Sequence, residues 1–337
     1  MSSSHTPTTP PVDLRSRLLL GLVVAVVAGA AGWLWQLSRQ RSPLAVAITT
    51  WPGYEYLYLA EQQQLGRAYG LQLKVLQYSS LVDQRQAYER GDVPALATTV
   101  PEAIAICQEA PQRCPQLVLV LDESSGADRI VSRIALRTPQ QLLGSRVGLE
   151  RSVLGEYMLV RSFGAHPPSL SQLRLHFDGP TALVKALQAG DLDAIVTYAP
   201  HDTPLLGDPR FRVLFSSRSI PGEVVDVLAV DPAFAQRNPN DVKALVQTWW
   251  AARRFALHHA AEAVSLMAQR QQITPEEFRA SEHGLNYPGP AAQNRLLAPG
   301  GPLARSISQM SALMQASGGL HAGAPLPQLS AAFLVTP

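Results

Sequence analysis

The residues best suited to chemistry lie in a short aromatic stretch, TTWPGYEY, that follows the first predicted strand. It contains no nucleophile and no acid–base pair. Trp51 and Tyr54 offer aromatic faces, and Gly53 leaves the backbone N–H groups accessible. Such groups hold a small molecule by stacking and hydrogen bonding. Trp51 could instead fill a core, as large aromatic residues often do. We expect Trp51, Gly53 and Tyr54 to contact a ligand.

Further candidates follow other predicted strands, where they would meet at one edge of a parallel sheet. They are hydroxyls, carboxyls, a tyrosine and a glycine that would let a ligand approach the backbone. The hydroxyls could equally cap the helices that follow, and the aspartates could lie in a solvated loop or tie loops together. The candidates are Ser79, Ser80, Thr98, Thr99, Asp128, Ser152, Gly155, Glu156, Tyr198 and Asp226.

Motifs for other chemistries are missing from the sequence. No Walker loop, dinucleotide-binding glycine fingerprint or G-x-S-x-G turn follows a predicted strand. His258 and Glu262 share a helix face, but without the HExxH pattern a solvated helix face is the better interpretation. We therefore expect no metal and no cofactor. The 337 residues carry a net charge of only +2, which predicts no broad surface for nucleic acid.

The two cysteines, Cys107 and Cys114, leave two alternatives open. They could form a disulfide in an oxidising compartment, or remain two free thiols, because their spacing specifies neither state. Neither belongs to a CxxC motif, so a structural zinc site is not expected.

Alternating strands and helices must position the candidate residues. Helices are predicted between the strands, including one at 81–90 that ends at Gly91 and one long helix from 240 to 271. Residues 122–128 are predicted as a polar loop. The alternation favours an α/β fold with a mainly parallel sheet, in which ligands bind at the carboxyl ends of the strands. The strands are predicted at 44–48, 71–78, 95–99, 117–121, 146–149, 173–177, 194–198, 213–216 and 224–230.

The N-terminal region contains an apolar segment, residues 18–37, with no charge and with arginines on both sides. A helix of that length spans roughly 30 Å, the thickness of a bilayer core. We expect one N-terminal transmembrane anchor after a disordered tail, residues 1–17. The alternative is a signal peptide cleaved after the small residues 28–30. Trp33 and Trp35 extend the apolar run beyond that point and favour an anchor.

Three strings in the first half of the chain are WPGYEYLYLAE, LQLKVLQYSSLVDQRQAYERGDV and LDESSGADRIVSR. The second half contains LLGSRVGLERSVLGEYMLVRSFG, LVKALQAGDLDAIVTYAP and SIPGEVVDVLAV. In this order they resemble the periplasmic substrate-binding proteins of the sulfonate, nitrate, taurine and thiamine-pyrimidine group. The resemblance covers residues 44–289. It implies a two-lobed type 2 periplasmic-binding-protein fold with the ligand between the lobes and two crossovers, near 130–138 and 216–225.

The same resemblance implies the domain order and the function. Lobe 1 would comprise 44–133 and 217–317, lobe 2 would comprise 134–216, and 318–337 would form a tail. The protein would be an extracytoplasmic solute-binding protein, monomeric in its soluble part, that delivers a small organic molecule to an ABC permease in the membrane. It would not be an enzyme. The alternatives are a membrane-anchored ligand sensor and, less favoured, a thiamine-pyrimidine-related enzyme, whose cysteine-rich segment this sequence lacks.

Two departures prevent the ligand of any relative from being carried over. Pro94 stands where the group often has an aspartate, and Tyr198-Ala199-Pro200 stands where a Trp-x-Pro is common. Arg151 is the only arginine in the cleft loops that match the group. This favours a neutral or cationic ring compound over a sulfonate.

The anchor hypothesis predicts that protein isolated from membranes still contains residues 1–30, because the apolar run continues past the candidate cleavage site. N-terminal sequencing of the mature protein checks this. A sequence that starts at Ala31 would show that the segment is a signal peptide.

Overall fold

Strands and helices alternate in the computed structural model, which describes residues 42–164 and 166–334. The predicted tail 1–17 and the apolar segment 18–37 lie outside these residues. Within the described ranges, no helix is both long and apolar enough to cross a membrane.

The strands begin and end close to the predicted positions. They are β1 (Leu44–Ile48), β2 (Leu73–Gln77), β3 (Ala95–Thr99), β4 (Gln116–Ser124), β5 (Asp128–Arg133), β6 (Arg146–Leu149), β7 (Arg174–Phe177), β8 (Ala194–Tyr198), β9 (Phe211–Ser216), β10 (Val225–Val230), β11 (Leu285–Asn286) and β12 (Gln328–Leu329). The helices are α1 (Glu55–Gln62), α2 (Leu81–Arg90), α3 (Val100–Glu109), α4 (Val153–Ser162), α5 (Pro180–Ala189), α6 (Thr203–Leu206), α7 (Pro232–Arg237), α8 (Pro239–His258), α9 (Ala260–Gln271), α10 (Pro275–Glu282), α11 (Pro290–Leu296) and α12 (Pro302–Ala316).

The first sheet has the order β11-β4-β10-β3-β1-β2, with β12 also paired to β4. Strand β1 runs parallel to β2 and β3, whereas β10 runs antiparallel between β3 and β4. Side chains of β1 alternate between the faces: Val46 and Ile48 join one hydrophobic cluster and Ala47 joins another. Both faces of this sheet are therefore buried, as is usual for parallel strands.

The second sheet has the order β7-β6-β8-β5-β9. Strand β6 is parallel to β7 and β8, and β5 is antiparallel to β8 and β9. The chain passes between the sheets twice, through 125–127 and through 217–224. Ser217 ties the two connections together, because its hydroxyl lies 2.8 Å from the Ser124 hydroxyl and accepts a 2.7 Å hydrogen bond from the Gly126 amide.

Two predictions about the region after β4 were wrong. Asp122 belongs to β4 and Asp128 begins β5, so the connecting loop contains only residues 125–127. Both residues are paired across the sheets, Asp122 with Asp226 of β10 and Asp128 with Tyr198 of β8, so the strands extend into the predicted loop. The first crossover therefore precedes the predicted 130–138 region, where Ile130 is instead a buried residue of β5.

The predicted long helix was also wrong, because it divides at His259 into α8 and α9. The backbone of His259 leaves the helical region, with φ −127° and ψ 46°. Its ring stacks on Phe255 at a centroid distance of 4.5 Å. Both helices bury residues in the same cluster, including Trp249 and Met267, so the break lets α9 turn back onto the core. Neither Gly nor Pro marks this position in the sequence.

A disulfide joins Cys107, at the end of α3, to Cys114, just before β4. Cys107 is fully buried. Of the two alternatives left open by the sequence, the structure shows the disulfide.

Replacing both cysteines by alanine should lower the free energy of unfolding by about 2–3 kcal/mol, because the bridge restricts the short loop in the unfolded chain. Urea unfolding of the two proteins measures the difference. Reductant should destabilise the wild type and leave the Cys107→Ala, Cys114→Ala protein unchanged. Equal stability of both proteins, with or without reductant, would contradict the prediction.

Candidate functional site

A narrow cavity lies where the two sheets meet. It comprises about 280 Å³ of space that is partly open to solvent, and it is so narrow that it has room for about one water molecule. Residues of both sheets and of the first turns of α2 and α4 form its wall. They are Thr49, Trp51, Tyr54, Leu81, Thr99, Asp128, Leu154, Tyr198 and Asp226.

Strand register brings the polar residues of the cavity together. In the first sheet, Asp226 lies opposite Thr99 on one side and opposite Asp122 on the other. In the second sheet, Asp128 lies opposite Tyr198. Because these residues stand at the ends of their strands, both sheets present carboxyl groups and hydroxyls to the same space.

Trp51 is fixed at the end of β1 by Asp122. The indole Nε1 donates to both oxygens of that carboxylate, at 3.2 and 3.3 Å. The ring also meets Tyr198 of the second sheet edge to face, with centroids 5.9 Å apart. Gly53 makes this possible, because a Cβ atom at that position would overlap the Asp122 carboxylate. Gly53 therefore allows a close approach between protein groups, and it does not line the cavity.

Asp122 and Asp226 form a buried pair of carboxyl groups. The two residues lie opposite each other in β10 and β4, and the Tyr54 hydroxyl donates to Asp226 Oδ1. Burial, followed by the charge of Asp122, raises the pKa of Asp226 well above its usual range. Burial raises the pKa of Asp122 to about 7, although the bond from Trp51 opposes the shift. Asp226 Oδ2 has no hydrogen-bond partner in the described structure.

Asp128 and Glu150 are two further buried acids, and Asp128 lines the cavity. Burial raises the pKa of Asp128 to about 6 and that of Glu150 to about 7. Interaction of Glu150 with the Tyr198 hydroxyl lowers the Glu150 value, but less than burial raises it. Asp128 Oδ2 and Glu150 Oε1 have no hydrogen-bond donor within the described structure. Burying a carboxylate oxygen without a hydrogen-bond donor costs free energy. A ligand with donor groups would reduce this cost by pairing with these oxygens.

No lysine, arginine or histidine among the described residues lines this cavity. Arg129, the residue after Asp128, forms an ion pair with Asp202. Arg253 stacks on Tyr56 and Tyr287, at 4.3 and 3.8 Å from the ring centroids. The cavity is therefore acidic and aromatic.

Six of the predicted site residues line the cavity: Trp51, Tyr54, Thr99, Asp128, Tyr198 and Asp226. Their contact with a ligand stays a prediction. Thr99 also caps α3, since its hydroxyl accepts from the Glu102 amide at 3.4 Å.

The remaining predicted residues are not part of the wall. Ser79 is exposed and donates to Asp83, and Ser80 caps α2. Ser152 caps α4 by accepting from the Gly155 amide at 3.1 Å. Thr98 is fully buried in β3.

Glu156 is half-buried in the first turn of α4, and burial raises its pKa to about 7. The sequence left helix capping open as an alternative role for the candidate serine and threonine hydroxyls. Ser80 and Ser152 have that role.

Sequence reasoning missed Asp122 and Glu150, as well as three residues of the wall, Thr49, Leu81 and Leu154. Glu150 directly follows β6, so its place after a strand was an available signal. Asp122 carried no such signal, because its role depends on the pairing of β4 with β10.

A larger concavity lies at the edge of the first sheet, between α1 and β2. Its wall includes Glu61, Arg67 and Lys74. It contains neither aromatic rings nor buried acids, so its size alone does not make it the better candidate.

The buried acids predict how stability depends on pH. Because folding raises the pKa of Asp122, the folded protein holds a proton that the unfolded chain loses above about pH 4. The stabilisation is complete below that pH and disappears as the pH rises through about 7.

The unfolding free energy of the wild type should fall between about pH 5 and 8. Asp122→Asn imitates the protonated acid, so its unfolding free energy should fall by less, with a difference on the order of 2 kcal/mol. Urea unfolding at both pH values measures this. Asp92→Asn, at an exposed ion pair with Arg90, serves as the control. Identical pH dependence of the two variants would contradict the assignment.

Comparisons with known proteins agree with this architecture. The sequence model of the NMT1-like family matches residues 171–270. The taurine-binding periplasmic protein of Escherichia coli (strain K12) is 25% identical over 154 residues, which are 44% of this chain and 46% of that protein. The chain thus spans about half the length of this curated relative.

Solved structures match over most of the chain. The alkanesulfonate-binding protein from Xanthomonas axonopodis pv. citri, bound to MOPS, has a TM-score of 0.66 at 17% identity, covering 87% of this chain and 98% of that one. A desulfurization enzyme has a TM-score of 0.58 at 18% identity, covering 87% and 98%. The fold therefore occurs in binding proteins and in at least one enzyme. The chain has the α/β periplasmic-binding-protein fold, and its predicted resemblance to the sulfonate, nitrate and taurine group is confirmed.

Proposed function

We propose that the protein is an extracytoplasmic solute-binding protein that delivers a small organic molecule to an ABC importer. The observation that carries this proposal is the cavity, which both sheets build together. Trp51 and Tyr54 follow a strand of the first sheet, and Asp128 and Tyr198 belong to the second. A ligand in this place would join the two sheets directly.

The narrowness of the cavity supports a mechanism in which the two sheets separate to admit the ligand. The space holds about one water molecule while Trp51 contacts Tyr198, so a larger ligand would require these two rings to move apart. The connections at 125–127 and 217–224 are the only covalent links between the sheets in the described chain, and they lie side by side at Ser217. Rotation about this pair of links would open the cavity, and a bound ligand would favour the closed form.

Recognition without turnover fits the chemistry of the wall. Both cysteines of the chain form a disulfide, so neither supplies a free thiol. None of the serines proposed from the sequence lines the cavity, and Thr99 has no histidine beside it there. The wall offers rings, hydroxyls and acids, which orient a ligand but include no activated nucleophile.

An extracytoplasmic location is supported by the disulfide, since such bonds persist mainly in oxidising compartments. Residues 18–37 would either anchor the binding domain to the membrane or direct its export. An anchored domain would remain close to its permease, which raises the effective concentration of the pair.

Trp51→Ala should weaken ligand binding by roughly 1–3 kcal/mol, because it removes a ring that flanks the ligand. The ligand source is the low-molecular-mass fraction of the cells that make the protein, and the readout is the shift in melting temperature. Trp250→Ala is the matched control, since Trp250 is half-buried on α8 and does not line the cavity. We expect the shift to be lost in Trp51→Ala and kept in Trp250→Ala.

The opposite pattern would remove the support for the cavity. If Trp51→Ala melts much lower than the wild type without ligand but keeps the full ligand-induced shift, Trp51 is a core residue and the ligand binds elsewhere.

A further inference from the structure

We propose that the ligand is an organic cation with N–H donors, such as an ammonium or amidinium compound, held by Asp128 and Asp226 beside the rings of Trp51 and Tyr198. This inference rests on the proposed function and names the chemical class of molecule that the cavity accepts.

Buried carboxyl groups at and near the cavity provide hydrogen-bond acceptors. Asp122, Asp128, Asp226 and Glu150 are 0%, 3%, 1% and 8% exposed, so all four carboxyls are withdrawn from solvent. Asp128 lines the cavity, and its Oδ2 atom has no donor in the described structure. Glu150 Oε1 is equally unpaired. Ligand N–H groups would satisfy these oxygens and offset the cost of burying them.

The helix N-termini beside the cavity already have acceptors from the protein. Helix N-termini can bind anions through free backbone amides, but here side chains accept from some of these amides. At α4, the Leu154 amide donates to the Glu102 carboxylate at 3.2 Å, and the next amide donates to Ser152. At α2 and α3 the caps are Ser80 and Thr99. A sulfonate would therefore face buried acids without a positive partner from the described wall.

Two aromatic rings in the cavity wall also favour a cation. The T-shaped pair Trp51–Tyr198 spans the cavity from one sheet to the other. Indole and phenol faces attract cations, and the attraction increases where water is excluded. The anionic partners and the ring faces therefore favour the same charge on the ligand.

Binding of a cation should change the protonation of the buried acids, which can be measured. A bound cation stabilises carboxylates, so Asp128 and Glu150 should release protons when the ligand binds. Affinity should therefore fall as the pH is lowered through about 6–7, where these acids become neutral. The charged or titratable groups that interact with Asp128 are Arg129, Asp202, Tyr54, Tyr198, Asp122, Asp226 and Glu150.

The test uses two matched series that differ in charge: propylammonium, propanol and propanesulfonate, and benzamidinium, benzamide and benzenesulfonate. Calorimetric titration of the full chain measures affinity and proton release in buffers of different ionisation enthalpy. We expect at least one cation to bind about tenfold or more tightly than its neutral and anionic counterparts, with release of protons.

Variants connect the binding to the cavity. Asp128→Asn should weaken the cation about tenfold and reduce the proton release. Asp92→Asn, at the surface ion pair with Arg90, should leave both unchanged.

Each other outcome overturns the inference in a distinguishable way. If a sulfonate or a neutral compound binds as tightly as the cation, and Trp51→Ala weakens it, the charge assignment is wrong while the proposed function stands. If a cation binds but Asp128→Asn has no effect, the site is wrong. If no compound of either series binds, and the cell extract causes no shift in melting temperature, the inference and the proposed function both fail.

Discussion

The buried pairing of Asp122 with Asp226 across β4 and β10 is the constraint on which the rest of the site depends. These two acids are neighbours because β10 runs antiparallel between β3 and β4. Asp122 accepts from the Trp51 indole, and Asp226 accepts from the Tyr54 hydroxyl. The pair therefore holds both aromatic residues that follow β1. Burial, followed by repulsion from the charge of Asp122, raises the pKa of Asp226 well above its usual range.

The second sheet contributes a further acid and a further aromatic ring to the site. Asp128 and Tyr198, opposite each other in β5 and β8, provide an unpaired carboxylate oxygen and a ring that closes on Trp51. The two sheets are covalently linked only through 125–127 and 217–224 within the described chain, so a rotation about these links would leave each half of the site intact. In the proposed mechanism, the polar groups inside each sheet stay rigid, and the contacts between the sheets are exchanged for contacts with the ligand.

The order of elements was largely predictable because strands and helices alternate with clear hydrophobic periods and turn signals. Strands β3, β6 and β8 begin and end where the pattern predicted, and Gly91 ends α2 in the left-handed conformation, with φ 88°. Trp51 and Tyr54 were found because they directly follow a strand. The break at His259 was not predictable, since it results from packing of α9 and has no local glycine or proline.

The acidic character of the site depended on information that a sequence pattern does not contain. Asp122 looked like a residue of a polar loop, because acids are usually solvated. Its burial follows from the register of β4 with β10, which is a long-range contact. Glu150 was overlooked in favour of Ser152, which turned out to cap α4. The scarcity of arginine in the cleft loops did suggest a ligand that is not an anion, and the geometry of the acids strengthens that interpretation.

Native mass spectrometry of the protein purified from the cells that make it shows directly whether the cavity binds a small basic molecule. We expect a small retained molecule that carries a basic nitrogen and is released on denaturation. It should be absent from protein with Trp51→Ala. A retained sulfonate, or a retained molecule whose amount is the same in the Trp51→Ala protein, would contradict it.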